Sequence, residues 1–265
     1  LPSEKKLDFG MKNNTEALRE TGRVLLEIGS LLMSSGASTG RIRVNVHRIS
    51  KSLGYKAELL ITHRALMISV SDGETSELFS SLKRTSPHGV NFKLVSGISR
   101  MSWRIKEEKW NVYQIATDLE RIKSLPHYPR IVILSMVALA GASFCRLFGG
   151  GFPEMIVAFL ATFIGLVVKQ ESHKRNFNVY LCVLFSAFTA SVIAGASIYY
   201  GIGSSAEEAF ATSVLFLIPG VPFINAFTDM IDGNISTGMA RFVHGLIIAF
   251  AIALGMLLSI LIFNL

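Results

Sequence analysis

Leu217-Ile218-Pro219-Gly220-Val221-Pro222-Phe223-Ile224-Asn225 places two prolines at the middle of an apolar stretch that runs from about Ala209 to Ile231. Proline lacks an amide hydrogen and clashes with the preceding turn, so a helix of membrane-spanning length is interrupted there. In hydrocarbon, the backbone groups freed by such a break need partners from surrounding protein or a water-filled cavity. Secondary transporters build substrate sites from breaks of this kind. The stretch points to a helical membrane protein and, within that class, to transport.

The rest of the chain divides into halves that need different solvents. Half of the 265 residues are hydrophobic, yet residues 1–130 carry 21 of the 26 Lys and Arg and 13 of the 19 Asp and Glu. The first half is thus +8 and reads as soluble, while residues 131–265 are −1 and read as membrane-embedded. Leu1 to Gly10 is polar and charged, with none of the apolar core of a signal peptide. Cys145 and Cys182 fall in different apolar segments and make neither a metal-ligand cluster nor an expected disulfide.

A hydrocarbon core takes about 20 apolar residues per helix. Five stretches come near this length, at about 131–148, 152–168, 178–200, 209–231 and 242–263. The first two are separated only by Gly149-Gly150-Gly151, with Arg146 and Glu154 bracketing the glycines as interface residues would. Lys169, Lys174 and Arg175 follow the second stretch and Arg241 precedes the fifth, so those sides are expected to be cytoplasmic. The basic N-terminal half falls on the same side and Leu265 outside. Two ridges of small residues, Ala187/Ser191/Gly195 and Gly245/Ala249/Ala253, are candidate helix contact faces.

Within the soluble half, Leu18, Val24, Leu25, Ile28, Leu31 and Leu32 predict a helix over 15–34, stopped by Gly36. A second helix is expected from Thr39 to Leu53, with Arg41, Arg43, Arg48 and Lys51 on its polar face. Strands are expected at 57–62, 65–71 and, after an Asp72-Gly73 turn, to about Phe79, with another possible at 90–95. A helix from about Lys106 to Lys123 closes the half before Pro126 and Pro129. The expected architecture is an α-helical integral membrane protein with five transmembrane helices, preceded by a small cytoplasmic α/β domain. Its expected divisions are an N-terminal tail (1–14), the α/β domain (15–127) and the transmembrane domain (128–265). The basic face reads as a solvated or membrane-facing surface, and membrane lipid is an expected partner; no nucleic-acid motif is present.

Gly36-Ala37-Ser38-Thr39-Gly40 matches the G-x-S-x-G nucleophile pattern, but that pattern needs a strand-to-helix turn in a large sheet. Here a helix precedes it, and Ser38 reads better as a helix N-cap. No Walker A motif appears, and His47 and His63 lack metal-ligand spacing, so no cofactor and no metal are expected. In the membrane half, the helix piece starting near Pro222 would offer free N–H groups and a positive dipole end to a carboxylate. Pro219, Gly220, Pro222 and Asn225 are therefore the candidate substrate-binding residues. Asp229 shares a face with Asn225, and Asp232 follows three residues on. Asp229 reads either as a proton-coupling or gate acid or as an interfacial acid paired with Arg241. His244, one turn from Arg241, reads as a coupling residue or as a headgroup-level histidine.

These stretches together carry a resemblance. Ile218-Pro219-Gly220-Val221-Pro222-Phe223-Ile224-Asn225-Ala226, Asp229-Met230 and Gly233-Asn234-Ile235-Ser236-Thr237-Gly238-Met239-Ala240-Arg241 are its specific part. Tyr128-Pro129-Arg130, Ser143-Phe144-Cys145-Arg146-Leu147-Phe148-Gly149-Gly150 and Gly36-Ala37-Ser38-Thr39 extend it. The chain resembles the threonine/serine exporter family, in its split form, a YjjP-like five-span subunit, from about residue 15 to 260. The resemblance implies a bacterial inner-membrane exporter of small carboxylate metabolites: threonine and serine driven by the proton motive force, or succinate in the split form. It further implies a second membrane subunit, with or without a homo-oligomer. Asp229, Asp232, Arg241 and His244 are the expected proton-coupling or gate residues. The readings set against transport are a membrane-tethered serine hydrolase using Ser38 and a non-transporting membrane scaffold or sensor.

Overall fold

The computed structural model of the chain describes residues 2–73, 77–85, 89–126 and 128–264, with side chains from Thr15 onward. It divides into two compact units: Leu1–Pro126 with Val221–Phe242, and His127–Gly220 with Val243–Leu265. Residues 221–242, expected in the transmembrane part, thus pack with the N-terminal residues. The passage between Gly220 and Val221 lies inside the two-proline stretch.

In the first unit, α1 (Pro2–Ser34) buries Leu18, Leu25, Ile28 and Leu32 on one face. Fully burying each such side chain is worth about 1.5–3 kcal/mol. The helix already includes residues expected as a tail. α2 (Thr39–Ser52) follows, then β1 (Lys56–Ile61), β2 (Ala65–Ser71) and β3 (Leu78–Arg84), an antiparallel sheet in that order. Strand alternation turns Ala57 and Ile61 of β1 and Leu66, Ile68 and Val70 of β2 into one core. α1 approaches this sheet through two glycines. A Cβ on Gly22 would meet the Phe79 ring at 2.1 Å, and one on Gly29 would meet Leu66 Cδ2 at 2.5 Å.

α3 (Phe92–Glu108) and α4 (Val112–Lys123) complete the unit's N-terminal part. Two expectations are corrected here. The possible strand at 90–95 is the start of α3, because the Asn91 side chain accepts a hydrogen bond from Leu94 N at 3.1 Å and so caps a helix. The single helix expected over 106–123 is two. Lys109 turns left-handed (φ 52°), and Asn111 with Gln114 forms a reciprocal capping box that starts α4 afresh. The third strand also lies later than expected, at 78–84. Lys123 of α4 pairs with Glu27 of α1 and with Glu120. Burial of the amine works the other way, but the hydrogen bonds and charges of Glu120 and Glu27 raise its pKa above the usual lysine value.

The second unit is built of helices α5 (Arg130–Leu147), α6 (Phe152–Lys174), α7 (Val179–Tyr199) and α8 (Ala206–Thr212), a 3₁₀ turn (Leu215–Leu217), and α10 (Ile235–Phe263) from Val243 onward. α5, α6, α7 and α10 are long and apolar enough to cross a membrane. The segment expected as one span at 209–231 is instead a bent pair, Ala206–Leu217 and Gly220–Ile231, which makes a fifth span only if counted as one. Among the described residues the structure thus gives four or five candidate spans.

Packing in this unit runs through small residues. A Cβ on Gly255 would meet Phe188 N, Ala187 Cβ and Leu184 O at 2.7–2.9 Å, and one on Gly195 would meet Phe263 and Ser259 at 3.0–3.1 Å. The Ala187/Ser191/Gly195 ridge is therefore a contact face of α7 against α10. The ridge drawn at Gly245/Ala249/Ala253 is not: Ala253 is exposed, and the inward face runs through Ile248, Ile252, Gly255 and Ser259.

Candidate functional site

The site begins with the turn between α1 and α2. Gly36 takes a positive φ of 85°, where a Cβ would be strained, and Ala37 N returns to Leu32 O at 3.0 Å to end α1. The Ser38 side chain accepts from Arg41 N and caps α2. The first N–H groups of α2 have no partners within their own helix. α2 has no acidic residue in its first turn, so the anion that would complement its dipole comes from elsewhere.

It comes from α9 (Gly220–Ile231), which belongs to the same unit. Asp229 is fully buried. Its Oδ1 accepts from Thr39 N at 2.9 Å and its Oδ2 from Thr39 Oγ1 at 3.0 Å. Arg241 of α10, 5% exposed, sets Nη1 2.9 Å from Asp229 Oδ2. Arg241 Nη2 reaches Ala37 O at 3.4 Å, while its Nε and Nη1 are buried without a hydrogen bond, Nη1 meeting Asp229 as an ion pair alone. A buried ion pair is costly unless its remaining donors and lone pairs are satisfied; here each carboxylate oxygen accepts one hydrogen bond from Thr39, while two of the three guanidinium nitrogens make none. The two opposite charges balance.

The other candidate residues lie around this pair. Asn225, one turn before Asp229, donates from Nδ2 to Gly36 O at 2.8 Å. Asp232 brings Oδ2 to within 2.9 Å of where a Gly40 Cβ would stand, beside the start of α2. Arg43 donates to Asn234 Oδ1 at 3.1 Å and Thr237 to Ile61 O at 3.0 Å, fastening the α9–α10 corner to the N-terminal residues. Pro222 lies in the first turn of α9, where a missing N–H leaves nothing unpaired. Ile218 before Pro219 is extended (ψ 126°), as a residue before proline must be, and this ends the 3₁₀ turn. Pro219 and Gly220 belong to the second unit, as does His244, whose Nδ1 lies 2.9 Å from Tyr180 OH. The structure thus gathers Asn225, Asp229, Asp232 and Arg241 in one unit.

Two residues escaped the sequence reading. Thr39 holds Asp229 with two donors; its only signal was its place next to a helix N-cap. Glu154, read as an interface residue, is 1% exposed and accepts from Ser205 N at 2.9 Å, with Gly203 leaving room for its carboxylate. Ser38 sits between two helices with its oxygen turned to the α2 backbone, not at a strand-to-helix elbow.

The comparisons with known proteins agree on one group. A family model described as "Putative threonine/serine exporter" matches residues 23–263. The "Probable succinate transporter subunit YjjP" of Klebsiella aerogenes is 27% identical over 252 residues, 94% of this chain and 96% of that protein. Its namesake in Escherichia coli is 27% identical over 254 residues, 95% and 98% of the two chains. The "Threonine/serine exporter" of Corynebacterium glutamicum is 22% identical over 240 residues, which is 88% of this chain and 49% of that one. No solved structure matches the chain.

Proposed function

Since the chain belongs to the threonine/serine exporter family, we propose that it is one subunit of a secondary exporter of small carboxylate metabolites, serine, threonine or succinate, working in the bacterial inner membrane under the proton motive force. It is a multi-pass membrane protein, and its family and relatives are exporters, not enzymes. A second membrane subunit completes it; the word "subunit" in the names of two relatives supports this.

In this reading the bent pair is one of five spans, the N-terminal domain is cytoplasmic and the C-terminus outside. The basic residues Lys169, Lys174, Arg175 and Arg241 support that orientation. So does the contact of Arg241 with Ala37, which sets the Arg241 end of α10 beside the N-terminal residues. The substrate carboxylate is received near Pro219, Gly220, Pro222 and Asn225. Asp229 couples protons with Arg241 as its countercharge, and Asp232 and His244 assist.

The observation that carries the reading is the Asp229–Arg241 pair, a buried carboxylate and guanidinium 2.9 Å apart, one turn from Asn225. A buried pair of this kind costs desolvation that its Coulomb attraction only partly returns. The test is counterflow of labelled serine, threonine and succinate in proteoliposomes holding the chain with any subunit it retains on purification. Flux of at least one of the three is expected, lowered severalfold or more by Asn225→Ala at equal protein level. No flux of any of them would sink the proposal, and normal flux with Asn225→Ala would remove that residue from the site.

A further inference from the structure

Arg48 of α2 is half-buried, and its side chain is fixed from two sides. Its guanidinium carbon stands 3.9 Å from the centroid of the Trp103 ring on α3. Its Nη1 donates to Ser102 Oγ at 2.7 Å. That buried oxygen lies 2.8 Å from Asn45 Oδ1, and Asn45, also buried, donates from Nδ2 to Arg41 O at 2.8 Å. Buried polar groups cost free energy unless they are hydrogen-bonded, so the three side chains hold one another in a single arrangement. The ring covers the flat face of the guanidinium and Ser102 takes one N–H. The remaining N–H groups have no protein partner among the described residues.

A second pair of this kind is completed differently. Arg104 of α3 lies 5.0 Å from the centroid of the Trp110 ring, and Asp118 of α4 meets it at 2.9 Å. No carboxylate of the described residues comes within 4.0 Å of the Arg48 guanidinium. Lys106, exposed on α3, brings Nζ to 5.5 Å from the Trp103 centroid and has no carboxylate of the described residues within 4.0 Å either. Trp103 itself is 49% exposed. Two cations without counter-ions thus share one half-open indole on the surface of the first unit.

We propose that Arg48, Lys106 and Trp103 form a binding site for a phosphate group. A guanidinium already held in place loses little freedom when its fork takes two phosphate oxygens, and an ammonium can take a third. Phosphate has the oxygens and the charge for both, whereas the two oxygens of a carboxylate are taken up by the fork. The exposed part of the indole offers an apolar surface to the carbon skeleton beside the phosphate. Two sources present that chemistry: a free phosphate ester and the headgroup of an anionic phospholipid. The site is independent of the exporter reading, since it uses none of the residues assigned to transport.

Trp103 and Trp110 are the two tryptophans of the chain, so Trp110→Phe makes tryptophan fluorescence a reporter of this site. The full chain with that substitution, in neutral detergent at constant ionic strength, is titrated with inorganic phosphate, with glycerol phosphate, and with micelles carrying phosphatidylglycerol in place of phosphatidylcholine. A saturable change is expected with at least one of the three and none with chloride. Arg48→Gln should weaken binding about tenfold, the effect of losing one charge-assisted hydrogen bond. Lys106→Gln, at an exposed position, leaves the packing alone and should weaken it about threefold. Should Arg48→Gln fail to fold, Lys106→Gln decides alone. A response to the soluble phosphates only identifies a free ester as the ligand, a response to phosphatidylglycerol only identifies a headgroup, and a response to both makes the phosphate itself what is recognised. No response to any of them, an equal response to chloride, or binding that Lys106→Gln and a folded Arg48→Gln leave unchanged overturns the proposal.

Discussion

Asp229 and Arg241 set the cost of the site residue by residue. Each is buried, and each compensates the other's charge. Removing one partner strands a buried charge, at about 3–5 kcal/mol. Arg241→Met is therefore expected to destabilise the protein by roughly that amount, and Asp229→Asn with Arg241→Met to recover much of it, because Asn can still accept from Thr39. Thermal unfolding in detergent reads both. A double variant no more stable than Arg241→Met alone would show that the pair is not what fails. Thr39 itself is unremarkable in the sequence. Its importance depends on its backbone amide and its hydroxyl meeting one carboxylate 190 positions away.

Helices in the second unit meet through glycine and alanine, because in lipid there is no hydrophobic drive between helices and close contact must replace it. At Gly255 the facing atoms include backbone, with Phe188 N and Leu184 O of α7 at 2.7 and 2.9 Å from an added Cβ. Gly255→Leu should therefore lower stability by about 1–3 kcal/mol, whereas Gly220→Ala, with nothing within 4 Å of its Cβ, meets no steric obstacle. Unfolding midpoints that fall equally in the two would contradict this packing. The bent pair is an element-level fact of the same kind. Pro219 and Pro222 start a helix that turns its acidic end to the opening of α2. The chain there gives up a continuous span for a helix whose Asn225 and Asp229 both reach the α1–α2 turn.

For the molecule as a whole, the proposal is a cytoplasmic N-terminal domain and five spans. Ser204 and Lys174, both exposed, lie at opposite ends of α7 by sequence. A cysteine at Ser204 should be labelled by an impermeant maleimide in intact cells, and one at Lys174 only after the membrane is opened. The two natural cysteines are buried and give little background. The reverse pattern would invert the orientation, and labelling of both in intact cells would break the five-span count.

How much of this was legible in the sequence depends on the range of the interaction involved. Apolar period and charge asymmetry marked α5 and α7 to within a residue and the apolar parts of α6 and α10, which extend beyond the expected stretch to Lys174 and back to Ile235, because each follows from the solvent that one segment needs. The helix 15–34, α2, the first two strands and the Ser38 cap were read for the same reason. The break at Lys109–Asn111 was missed because a capping box competes with a good apolar period over the same residues. The second ridge was misplaced because small residues recur at several spacings and only the neighbouring helix decides which of them touch. The sequence by itself determined that Pro219 and Pro222 interrupt an apolar stretch and that Asp229 follows Asn225 on one face. Only the tertiary structure decided that the interrupted piece packs with the N-terminal residues and that Thr39 and Arg241 meet at Asp229. Those contacts join groups far apart along the chain, and no local preference of any one of them encodes its partner.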